Sequence, residues 1–110
     1  MNPNMATYTV ATVRGSNDNV SYTFSANYDI LMVTCYSRAN SDGTYISFNS
    51  KTGTYKQICK VSGHPDEGQP TIHKYIVGYL FNVTSGDKIT FVKNGGYRFD
   101  LTGTIISIAN

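Results

Sequence analysis

The chain predicts an all-β fold: an antiparallel β-sandwich, jelly-roll-like, of eight or nine strands. Apolar and polar residues alternate with a period of two in stretch after stretch, and β-branched and aromatic residues dominate those stretches. Turn-forming Gly, Asn, Asp and Ser recur about every ten residues, the spacing of short strands in a sandwich or jelly roll. Nowhere can a helix of about three turns be placed, because β-branched residues interrupt every candidate.

In chain order, residues 6 to 13 set Thr7, Thr9 and Ala11 against Tyr8, Val10 and Thr12, which suits a first strand with a polar face. Gly15 to Asn19 is turn chemistry. In the second strand Val20, Tyr22 and Phe24 form the inward face against Ser21, Thr23 and Ser25. Asn27-Tyr28-Asp29 then turns into residues 30 to 37, whose apolar residues occupy both faces, as in a central strand covered on two sides.

Ser41-Asp42-Gly43 reads as a hairpin, followed by strands at 44–49 and 54–61 around Ser50-Lys51-Thr52-Gly53. Ile46 and Phe48 share a face of the former; in the latter Tyr55, Cys59 and Val61 oppose Lys56, Ile58 and Lys60. Residues 62 to 70 hold two of the three prolines and form the long loop.

Residues 71 to 93 read as a core hairpin, two long apolar runs joined by Ser85-Gly86-Asp87. In the first run His73, Tyr75, Val77, Tyr79, Phe81 and Val83 share one face; Ile72, Ile76, Gly78 and Leu80 lie on the other with Lys74 and Asn82. Both faces are apolar enough to need cover, from a second sheet or another subunit. In the second run Ile89 and Phe91 alternate with Lys88, Thr90 and Val92. The last segment, 97 to 108, is expected to break around Thr102-Gly103-Thr104 and ends in Ile105-Ile106-Ser107-Ile108, which needs a partner strand.

A length of 110 residues, 40% of them hydrophobic and 13% aromatic, supports one core, read as an extended or disordered segment over residues 1–5 and one domain over 6–110. The net charge of +2 is scattered, with no basic cluster, which argues against a phosphate-backbone binder. Met1 to Met5 carry neither the basic region of a secretory signal nor an apolar span, so synthesis in the cytosol without membrane insertion is expected. Cys35 and Cys59 sit in separate apolar runs and read as buried thiols, although pairing across a sheet stays open.

The chemistry-bearing candidates are sparse. His64, Asp66 and Glu67 lie close together on the long loop, where they could act as acid, base or ligand, yet His-Pro-Asp-Glu-Gly is also ordinary turn composition. No nucleophile elbow, His-Glu-x-x-His, phosphate-binding glycine loop or CxxC pair is present, and Asn17-Asp18-Asn19 lacks the spacing of a calcium loop. A non-enzymatic protein with no cofactor and no metal site is therefore expected. Asn82-Val83-Thr84 matches a glycosylation sequon without a secretory route to its use.

Tyrosine is more informative, since each ring offers an apolar face and one hydroxyl at low entropic cost. Of the nine, Tyr22, Tyr36, Tyr75 and Tyr79 fall within strands and read as core or subunit-interface residues. Tyr28, Tyr45, Tyr55 and Tyr97 flank turns and are, with His64, Asp66 and Glu67, the candidate binding residues. Tyr75, Ile76, Tyr79 and Phe81 are the candidate oligomer interface.

The passage Tyr79-Leu80-Phe81-Asn82-Val83-Thr84-Ser85-Gly86-Asp87-Lys88-Ile89-Thr90-Phe91 resembles the strand, N-V-x-x-G-D-x-I, strand passage of small jelly-roll heads in bacteriophage fibre and tail proteins. More loosely, it is similar to tumour-necrosis-factor-like trimers. Tyr22-Thr23-Phe24 followed by Tyr28 to Val33, a strand ahead of a central apolar one, resembles the same class. The resemblance implies a virion structural or receptor-binding domain assembled in the bacterial cytoplasm, a homotrimer whose partners are other virion proteins or a host surface glycan. Two rival readings stand beside it. One is a carbohydrate-binding module using Tyr28, Tyr45 and Tyr97; the other is a small inhibitor of a host enzyme using the Gly63 to Pro70 loop.

Overall fold

The computed structural model describes residues 6–16, 19–39, 44–61, 72–93 and 99–109. They form eight strands: β1 (Ala6–Ser16), β2 (Val20–Thr23), β3 (Tyr28–Ala39), β4 (Thr44–Asn49), β5 (Tyr55–Val61), β6 (Ile72–Val83), β7 (Lys88–Lys93) and β8 (Phe99–Ala109). Two antiparallel sheets result, a first in the order β1-β8-β3-β6 and a second in the order β2-β7-β4-β5. Each sheet takes alternate strands of the chain, apart from the β4–β5 pair, and this interleaving is jelly-roll topology.

The interleaving corrects the hairpin expected over residues 71 to 93. β6 pairs with β3 and β7 with β2 and β4, so the chain crosses from one sheet to the other at Thr84 to Asp87. The crossover is a tight turn: the Asp87 amide donates to the Thr84 carbonyl at 3.0 Å, and Gly86 takes φ +98°, as the third residue of a type II turn must. Strands β3 and β4 likewise lie in different sheets, so no hairpin joins them; Ser41 to Gly43 themselves lie outside the described residues. The hairpin around Ser50 to Gly53 is present, closed by the Gly53 amide on the Ser50 carbonyl at 3.0 Å with Gly53 at φ +101°.

Asp87 ties this crossover to its neighbours. Its side chain is buried, with Oδ1 accepting from the Lys51 amide and Oδ2 from the Thr84 amide, each at 2.8 Å. Its carbonyl accepts from the Phe24 amide at 2.9 Å, the Gly86 amide donates to the Phe24 carbonyl at 2.8 Å, and the Ser85 amide donates to Asn27 Oδ1 at 2.8 Å. One carboxylate thus closes its own turn and clamps the β4–β5 turn, while the surrounding backbone holds the segment that follows β2. Bonds of this charge-assisted kind stabilise more than neutral ones.

The core lies between the sheets. β3 supplies Leu31, Val33 and Cys35; β4, Ile46; β6, Leu80 and Val83; β7, Ile89 and Phe91; β8, Leu101 and Ile105; and Phe24 follows β2. Burying each such side chain contributes about 1.5–3 kcal/mol before entropy is counted. Cys35 is a buried core residue as expected, while the Cys59 side chain lies outside the described residues.

Three local departures from alternation follow from the backbone. A register shift in β1 between Thr9 and Ala11 turns Ala11 and Val13 toward the core and leaves Thr7, Thr9, Thr12 and Arg14 exposed, where strict alternation would have put Ala11 with the threonines. In β6 Asn82 takes φ +55°, a left-handed conformation that Asn tolerates better than most residues, and the kink turns Val83 into the core instead of leaving it beside Phe81. β8, finally, runs unbroken through Gly103. The break expected at Thr102-Gly103-Thr104 is absent because the glycine accommodates a ring from the opposite sheet. The Ile105 to Ile108 ending does find partner strands, β1 on one side and β3 on the other.

Candidate functional site

The first sheet presents to solvent a grid of side chains set by register. Across β6, β3, β8 and β1 the rows read Phe81, Ile30, Ile108, Thr7; then Tyr79, Met32, Ile106, Thr9; then Val77, the buried Thr34, Thr104, Thr12; then Tyr75, Tyr36, Thr102, Arg14; the register continues through His73, Arg38, Asp100 and Ser16, whose side chains lie outside the described residues. The apolar weight falls on β6 and β3 and on the Ile106–Ile108 end of β8, while β1 contributes threonine and arginine. Tyr75 is 68% exposed, Phe81 63%, Tyr79 48% and Val77 46%. Exposure peaks there because β6 is an edge strand with a sheet neighbour on one side. Ile30, Met32, Tyr36, Ile106 and Ile108 are half-buried beside it. Within the grid Tyr36 and Tyr75 meet edge to face, centroids 6.4 Å apart and planes at 60°, a favoured aromatic geometry.

The outer face of the second sheet is different. Its rows are Thr23, Lys88, Asn49, Tyr55, then Ser21, Thr90, Ser47, Gln57, mostly polar and including a 2.9 Å hydrogen bond between the Ser21 and Thr90 hydroxyls, and then a row with the half-buried Val92 and Tyr45. Sandwiches ordinarily alternate apolar inward with polar outward residues. The second sheet follows that rule over its two polar rows, whereas the first departs from it along β6 and the start of β3. A contiguous exposed apolar patch on one face is the mark of an interaction surface.

Of the candidate interface residues, Tyr75, Tyr79 and Phe81 share this face. Ile76 does not: it points to the other side of β6 and packs against the core, so it is removed from the interface. Residues 30 to 37, expected to be covered on two sides, are covered by the second sheet on one side only; Ile30 and Met32 open onto the grid. Ile30, Met32, Ile106 and Ile108 are members of the face that sequence reasoning did not assign to a site. Their signal was present in the two-sided apolarity of residues 30 to 37 and in the Ile-Ile-Ser-Ile ending.

The turn-flanking tyrosines do not assemble into a site. Tyr28 belongs to the first sheet, Tyr45 and Tyr55 to the second. Tyr55 is exposed as expected, but Tyr28 and Tyr45 are half-buried, which corrects their reading as exposed contacts. Tyr28 packs edge to face on Phe24 at 5.9 Å, and Phe24 on Tyr22 at 5.3 Å. Burial pushes the Tyr28 hydroxyl above the ordinary tyrosine range, with Tyr8 and Tyr22 adding to the shift. Tyr97, His64, Asp66 and Glu67 lie outside the described residues, as does the Gly63 to Pro70 loop.

No protein-family model matches this chain, and no curated protein matches it in sequence.

Proposed function

We propose that this chain is a non-enzymatic, phage-type virion structural or receptor-binding domain that works as a homo-oligomer through the outer face of its first sheet. The observation that carries the reading is the exposed row Tyr75, Val77, Tyr79 and Phe81, backed by Ile30, Met32, Ile106 and Ile108, on a sandwich whose opposite outer face is polar along its Thr23 to Asn49 and Ser21 to Gln57 rows. Leaving such a row in water forgoes the hydrophobic stabilisation that association provides. Jelly-roll topology agrees with the resemblance of the Tyr79 to Phe91 passage, as an analogy of fold, because one fold hosts many functions.

Light scattering or sedimentation at micromolar concentration tests the oligomer. A particle mass that is a multiple of the 12.1 kDa chain is expected, and a strictly single-chain particle would remove the reading. Capsid or tail genes beside the coding sequence are expected for the virion role; a metabolic operon there would count against it.

A second reading has its own observation: the rings of Tyr75, Tyr79 and Phe81 stand exposed in one row, a surface on which a host glycan could stack. Binding on a glycan array, abolished by Tyr79→Ala, is its expected result.

A further inference from the structure

We draw no further inference here: the strongest candidate, the apolar outer face of the first sheet along Tyr75, Val77, Tyr79 and Phe81, belongs to the surface already described, and nothing in the structure shows what covers it.

Discussion

The ring of Phe91 in β7 lies against the backbone of Gly103 in β8: a Cβ built on that glycine would stand 2.5 Å from the ring's Cζ. The contact joins the two sheets at the middle of the core, where Gly103 pairs with Val13 on one side and Cys35 on the other. A glycine in a central strand, costly in entropy, is explained by the ring that needs its vacant side.

Gly103→Ala should therefore destabilise the domain by about 2–3 kcal/mol, as overpacking of a close-packed core does. Urea unfolding measures it. Combining Gly103→Ala with Phe91→Leu should cost less than the sum of the two single changes, because the smaller side chain relieves the clash; additive losses would show that ring and glycine are not coupled.

Asp87→Ala leaves the amides of Lys51 and Thr84, held in part-buried bonds, without their acceptors. A loss of about 2–4 kcal/mol is expected from two unsatisfied donors. Asp87→Asn keeps one acceptor oxygen and should lose less. A midpoint unchanged in Asp87→Ala would mean that the carboxylate does not hold the turns together.

At Asn82 the backbone, with φ +55°, sets the cost of substitution, since the side chain is exposed. Asn82→Val should destabilise by about 1–2 kcal/mol, the penalty of the left-handed region, and Asn82→Gly should be close to neutral. Thermal unfolding of the two variants separates this conformational effect from a side-chain contact, which both would lose equally.

Raised by burial above its unfolded value of 10.0, the Tyr28 hydroxyl links stability to alkaline pH. Below pH 10 its contribution is fully present; as pH rises through the folded pKa it is lost, because the unfolded chain releases the proton first. Stability should fall above pH 10, and Tyr28→Phe should flatten that fall. Equal alkaline slopes in both proteins would assign the effect to other groups.

Much of the strand content is legible in the sequence, because alternation is local. Val20, Tyr22 and Phe24, or Ile89 and Phe91, declare one inward face within a few residues, and the Gly53 and Gly86 turns announce themselves by residue type. Tyr75, Tyr79 and Phe81 are likewise recognisable as one face of one strand.

What alternation by itself determined, then, is that the chain is all-β and that residues 71 to 83 have two apolar faces. Tertiary structure decided which of those faces meets the core. The Leu80 side does, and the Tyr79 side is left open, because β6 crosses away from β7 and joins β3 as an edge of the first sheet. A tight turn reverses the chain equally well within a sheet or between sheets, so Thr84 to Asp87 could not announce its partner strand. Sheet partners are chosen by which apolar faces close one common core, a sum over residues far apart in the chain. Ile76, Val83 and Gly103 each received its role from that sum: packed on the core, turned inward by Asn82, and pressed by the ring of Phe91.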